Sequence, residues 1–259
     1  MPEVTDPYVP GQPCWVDLMA DDQQAALDFY RDLFGWQGEL GPPEFGGYSV
    51  CTLNGRAVAG IGPTMAPEGM PKPPVAWTTH LSTDDADAAQ RAVTEAGGTV
   101  LVPVMDVGTT GRMQIVADPT GAVFGIWQAG DFAGAAVSGE HGALVWNDLH
   151  TNDIPAASAF YRAVFDAEIA PMEGAEGYNS FNLGGRSLGG VADLANEPPG
   201  TPPHWLTYFA VDDPDRTVDQ LVKKGGKALI PPFDMVAGRM AVVADPQGAV
   251  FAVIAPLPM

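Results

Sequence analysis

The sequence predicts an α+β protein of two tandem domains, each made of two modules in which a strand and a helix are followed by two or three strands. Ten of the twenty residues in 15–34 recur in 146–165, and eleven of the fourteen in 111–124 recur in 238–251, so the two halves are copies. A weaker period halves each copy again, because four amphipathic helices open and close alike, each after a short apolar run.

In chain order, Cys14–Met19 reads as a strand, and Asp21 opens a helix that closes at Gly35, with Ala25, Ala26, Phe29, Tyr30, Leu33 and Phe34 on one apolar face. An N-terminal carboxylate and a glycine stop are the usual helix ends. The aromatic pairs Phe29-Tyr30 and Phe160-Tyr161 are expected to pack on the sheet. Strands Tyr48–Leu53 and Arg56–Ile61 follow, then a proline-dense segment, 63–74, that suits neither a helix interior nor a central strand. The second module repeats the order with strand Ala76–Leu81, a helix from Asp84 to Gly98, and strands Met113–Ala117 and Val123–Gln128. Residues 129–142 lack either periodicity and form the expected linker between domains 11–128 and 143–256. Strand Ala143–His150 and a helix from Asn152 to Asp166 open the second copy. Strand Trp205–Val211 and a helix from Asp212 to Gly226 follow the proline-rich stretch Leu194–Pro203.

With 12 Lys+Arg against 32 Asp+Glu the formal charge is -20, so the chain repels polyanions, and nucleic acid and anionic membranes are not expected partners. It shows no apolar run of spanning length and no signal-peptide pattern at its start, which reads as a soluble cytoplasmic protein. Cys14 and Cys51 are read as buried, reduced thiols. Phosphate-loop, dinucleotide-loop and nucleophile-elbow motifs are absent from the sequence.

The pattern Asp22, Phe29-Tyr30-Arg31, Phe34-Gly35-Trp36, Gly97-Gly98 and Asp118-Pro119-Thr120-Gly121 resembles the vicinal oxygen chelate superfamily of glyoxalases, extradiol dioxygenases and bleomycin-binding proteins. Asp153, Phe160-Tyr161-Arg162, Gly225-Gly226 and Asp245-Pro246-Gln247-Gly248 repeat it, and the tandem arrangement is most similar to a 27-kDa-antigen-like, hydroxylase-named group. The resemblance implies glyoxalase-like βαβββ modules, paired edge to edge into a curved mixed sheet around a cavity. It also implies metal ligands on the first and last strand of each module. Counted onto this chain, the first-strand seats are Trp15, Thr78, Trp146 and Leu206, and the last-strand seats are Gly60, Gly125, Gly190 and Ala252. Indole and glycine offer no lone pair to a divalent ion, so no metal and no cofactor is expected.

Alternation along the strands then adds Asp17, His80, Asp148, His150 and Tyr208 to the cavity walls, with Trp127 from a last strand. Trp15 and Trp146 are candidates to stack on a flat ligand in the room left by the small residues, and Thr78 is a further wall residue. Asp17 and His80 form a candidate acid–base pair. Arg112 and Arg239, which recur after a glycine, are candidates to receive an anionic group, with carboxylate pairing as the competing role. His141 and His204 fall in linker-like segments and are expected to be exposed. The leading expectation is a metal-independent protein that binds an aromatic or hydrophobic metabolite. An enzyme of the superfamily, a metal-free isomerase or lyase or a metal-dependent oxygenase or glyoxalase-type lyase, is the alternative. A tandem chain can satisfy domain pairing internally as a monomer, and a homodimer stays open.

Overall fold

The computed structural model describes residues 4, 6–65 and 72–257. The first module contains β1 (Pro13–Ala20), α1 (Gln23–Phe34), β2 (Ser49–Leu53) and β3 (Arg56–Pro63). The second contains β4 (Ala76–Thr83), α2 (Ala86–Glu95), β5 (Thr99–Val107), β6 (Gly111–Ala117) and β7 (Val123–Ala129). The second half repeats this with β8 (Leu144–Thr151), α3 (Ile154–Phe165), β9 (Glu168–Pro171), β10 (Tyr178–Leu183) and β11 (Arg186–Asp193). It ends with β12 (His204–Ala210), α4 (Pro214–Lys223), β13 (Lys227–Met235), β14 (Gly238–Ala244) and β15 (Val250–Pro256).

The helix starts differ from expectation by one residue. Asp22, Asp85, Asp153 and Asp213 are the caps, not Asp21, Asp84, Asn152 and Asp212. Each accepts from the backbone N–H three residues on, at 3.0, 2.9, 2.9 and 3.0 Å. Two ends differ as well. Gly97 and Gly225, at φ 84° and 93°, take the left-handed turn after α2 and α4. Gly98 and Gly226 instead serve close packing, and a Cβ at Gly98 would lie 2.8 Å from the Phe160 ring.

Each half forms one sheet, in the order β2-β3-β1-β4-β7-β6-β5 and β13-β14-β15-β12-β8-β11-β10-β9. The first strands of the two modules pair antiparallel at the centre, β1 with β4 and β8 with β12. Within each module the last strand returns parallel to the first. One face of each sheet carries helices, and the other forms the cup.

The helix-bearing faces of the two sheets pack together. One buried cluster joins Val16, Leu18, Phe29 and Phe34 to Phe209, Val218 and Phe251, and a second joins Leu81, Val93 and Phe124 to Leu149, Phe160 and Phe181. The repeated motifs build this seam. Asp118 Oδ1 accepts the N–H groups of Thr120, Gly121 and Ala122 at 2.8, 3.0 and 3.1 Å, folding its own turn. Its Oδ2 accepts the Tyr161 hydroxyl of the other domain at 3.1 Å. Asp245 and Tyr30 make the reciprocal bond at 3.1 Å. Trp77 and Trp205 each donate an indole N–H to the tyrosine oxygen, at 3.1 and 3.0 Å. The Tyr of Phe-Tyr-Arg and the Asp of Asp-Pro-x-Gly are therefore interdomain fasteners, with their polar atoms satisfied in the core.

Candidate functional site

Side chains two apart on a strand share a face, so Trp15 and Asp17 of β1 and Thr78 and His80 of β4 face the first cup, with Gly125 and Trp127 of β7. The parallel ladders pair Gly60 with Asp17 and Gly125 with His80. The second half pairs Gly190 with Asp148 and Ala252 with Tyr208. The count along the sequence gave the first-strand seats as Trp15, Thr78, Trp146 and Leu206, which share a face with these ladder partners and stand two residues from them along each strand.

The last-strand glycines do not leave open room. A Cβ at Gly60 would lie 1.7 Å from the Tyr48 hydroxyl, one at Gly190 1.7 Å from the Tyr178 hydroxyl, and one at Gly125 2.0 Å from His80 Nδ1. Glycine is needed at these seats because the chain's own tyrosines and histidine fill them.

The same triad stands in both cups. Trp15 Nε1 donates to the Tyr48 hydroxyl at 2.8 Å, and that hydroxyl donates to Asp17 Oδ2 at 3.2 Å. In the second cup Trp146 Nε1 donates to the Tyr178 hydroxyl at 2.9 Å and to Asp148 Oδ1 at 2.7 Å, and Tyr178 donates to Asp148 Oδ1. The fourth seat differs between the halves. His80 Nε2 lies 3.0 Å from Asp17 Oδ2 without the alignment of a hydrogen bond, whereas the Tyr208 hydroxyl donates to Asp148 Oδ2 at 2.7 Å. Asp148 is 3% exposed, and burial raises its carboxyl above the usual range against the pull of its donors Tyr178, Tyr208 and Trp146. Burial, with the adjacent carboxylate, likewise raises Tyr48, Tyr178 and Tyr208, so these phenols stay protonated donors.

The two mouths differ. Residues after β7 fold back over the first cup: Phe132 sets its ring edge-on to Trp15 at 4.9 Å, and its carbonyl accepts from Trp127 Nε1 at 2.9 Å. The Tyr8 hydroxyl fixes the same segment through Ala135 O at 2.7 Å. Trp15 is therefore 5% exposed. Trp146 is partly exposed, and among the described residues no aromatic ring packs on it.

His150 lies on the same face of β8 as Asp148. It stacks on His204 across the β8/β12 ladder at 4.8 Å and 20° between planes, and its Nδ1 is 3.1 Å from Glu197 Oε1. His204 thus opens β12 beside the cup and is not the exposed linker residue expected from sequence.

Arg112 and Arg239 are not brought to the cups. Arg112 pairs with Asp87 at 2.7 Å and Asp106 at 3.0 Å, and Arg239 with Asp215 and, at 3.0 Å, Asp234. Because Asp87 and Asp215 stand in the first turns of α2 and α4, both forks lie on the helix side.

Sequence reasoning missed Tyr48, Tyr178, Phe132 and Glu197. A signal existed for the tyrosines, since Gly47-Tyr48 and Gly177-Tyr178 recur at the repeat distance.

The donor set does not fit a divalent ion. At the four paired seats the first cup offers Asp17 and His80 with two glycines, and the second offers Asp148 and Tyr208 with Gly190 and Ala252. Among the described residues no group of three or more His, Cys, Asp or Glu is arranged to hold a metal.

The family model for the Glyoxalase/Bleomycin resistance protein/Dioxygenase superfamily matches residues 13–126 and 143–253. A Mycobacterium bovis protein named "Putative glyoxylase CFP32" is 45% identical over 258 residues, covering 97% of each chain. The "Anthracycline biosynthesis protein DauV" of Streptomyces sp. strain C5 is 37% identical over 264 residues, covering 95% of this chain and 94% of that one. Among solved structures, the Mn(II)-bound glyoxalase from Novosphingobium aromaticivorans superposes with a TM-score of 0.65 at 17% identity, covering 98% of this chain and 84% of the other. The 2,3-dioxygenase LapB from Pseudomonas sp. KL28 gives 0.63 at 13% identity, covering 96% and 95%. Likeness at this identity speaks for the fold alone.

Proposed function

The chain belongs to the Glyoxalase/Bleomycin resistance protein/Dioxygenase superfamily, and from that premise we propose that it binds a flat, apolar aromatic metabolite in its second cup without a metal. The observation that carries this is the difference between the two indoles: Trp15 is covered by Phe132, and Trp146 has no aromatic cover among the described residues. Trp146 packs against the apolar cluster of Leu206, Tyr208, Met240, Ala252 and Ile254, and the Asp148 cluster locks the indole by its N–H. A wall of this kind with a few fixed polar groups suits an organic ring system. The relative named for anthracycline biosynthesis adds support, since anthracyclines are built on fused aromatic rings. Metal-free binding is supported by the donor set, in which Asp148 already accepts from three side chains.

Titration with flat hydrophobic compounds should quench indole fluorescence, and Trp146→Ala should remove the response. Stacking on an indole is worth about 0.5–1.5 kcal/mol beyond area burial, so an affinity loss of about 2- to 12-fold is expected from the lost stack alone. Elemental analysis of the same protein should find no stoichiometric transition metal. A quenching response unchanged by Trp146→Ala, or a stoichiometric metal, would remove the proposal.

A second reading is a metal-free isomerase or lyase with Asp17 and His80 as the acid–base pair, favoured by their 3.0 Å approach. The Phe132 cover over that cup opposes it. Turnover that survives His80→Ala would dismiss it.

A further inference from the structure

We propose that His150 selects the ligand of the second cup, its Nε2 accepting a hydrogen bond from a phenolic hydroxyl on the aromatic molecule; this rests on the binding role proposed above. The residue is 7% exposed, yet its Nε2 has no hydrogen-bond partner, and its Nδ1 meets Glu197 without the alignment of a hydrogen bond. A buried polar group left in that state gains when a ligand supplies the missing partner. The nearby Glu197 carboxylate, 3.1 Å from Nδ1, favours the tautomer protonated there, which leaves the lone pair on Nε2. Stacking on His204 holds the ring plane. Burial, reinforced by His204 and opposed by Asp148 and Glu197, keeps the imidazole below its ordinary pKa and so neutral, as an acceptor must be.

The position fits the ligand surface. His150 is four residues along β8 from Trp146, about 13 Å, and the indole leans along the strand toward it with its N–H on Asp148 Oδ1, so a ring system must extend from Trp146 past Asp148 to bring a hydroxyl to the imidazole. The Leu194–Pro203 segment, which contributes no strand to either sheet, meets the pair through Glu197 and through Pro202 O, 2.9 Å from His204 Nδ1. Nε2 is covered in this structure, so this segment must move aside for the hydroxyl. The equivalent cross-strand pair in the first half is Met19 and Ala76, so the histidines belong to the second cup alone.

Only a donor satisfies an acceptor, so 2-naphthol should bind better than 2-methoxynaphthalene. Calorimetry at neutral pH should give a preference of about tenfold, equivalent to ~1.4 kcal/mol. His150→Phe, which keeps the stack, should erase the preference. In the unaltered protein, the Nε2 resonance of His150 should shift with naphthol and not with the ether, a readout that does not depend on the variant folding. Equal binding of the two probes, a preference that persists in His150→Phe, or an unmoved Nε2 resonance overturns this inference and leaves the binding role standing. Binding of neither probe overturns both.

Discussion

Gly60 and Gly190 are defined by what stands beside them, the hydroxyls of Tyr48 and Tyr178, and Gly125 by the His80 ring. Replacing any of the three by alanine forces that side chain out of its bonded place. Each substitution should cost about 1–3 kcal/mol in urea unfolding, as overpacking does, and Gly190→Ala should also weaken ligand binding because it displaces the partner of Trp146. The alanine variant at Gly121, whose Cβ would meet nothing but whose φ is 102°, separates backbone strain from crowding. Alternation on the strands made it legible that Asp17, His80, Asp148, His150 and Tyr208 share a face with the counted seats Trp15, Thr78, Trp146 and Leu206, because a period of two is written directly in the sequence. Tyr48 and Tyr178 were not legible that way, since each stands at or before the start of its strand, where alternation gives no direction. Sequence reports which face a residue takes, and only the ladder register reports which residue it meets.

At the scale of the element, β8 carries two groups whose protonation opposes each other. The native pKa of His150 is lowered, chiefly by burial, so between that value and the ordinary ~6.5 the unfolded chain binds more protons. Stability supplied by the neutral ring is complete above the ordinary value and is lost as pH falls through the native one. The loss is at most about 1.4 kcal/mol per pH unit for one proton. Asp148 is raised by burial, so its contribution is complete below the ordinary carboxylate range and is lost as pH rises through the native value. Stability followed by urea midpoint should show a shallower decline below pH ~6.5 in His150→Phe, while Asp148→Asn should flatten the opposite limb. An unchanged profile in both variants would contradict the burial of these groups. The linker is an element too. Phe132→Ala should uncover Trp15, shift its emission to the red and cost about 1–2 kcal/mol for a partly buried ring. Its role was hidden in the sequence because a segment without periodicity gives no face to assign.

For the whole molecule, the fold was legible because repetition shows at any scale, and the shared Asp-Pro-x-Gly and Phe-Tyr-Arg residues mark all of it. The packing of Phe29-Tyr30 and Phe160-Tyr161 was legible too, but the partner of each tyrosine hydroxyl was not, because it lies in the other half, and here it binds each half to the other. Tyr30→Phe and Tyr161→Phe each leave a buried carboxylate oxygen and an indole N–H without that partner. Each should cost about 1–3 kcal/mol, and both variants should keep a single cooperative transition, because each buried cluster spans both sheets. Separate domain transitions would refute the shared core.

The central claim is that the second cup holds an aromatic molecule with this chain's own side chains and no metal. Calorimetric titration of chelator-treated protein with a flat aromatic ligand tests it most directly. The account predicts one molecule bound per chain, with affinity unchanged by chelation. Binding that disappears on chelation and returns only with an added divalent ion would contradict it.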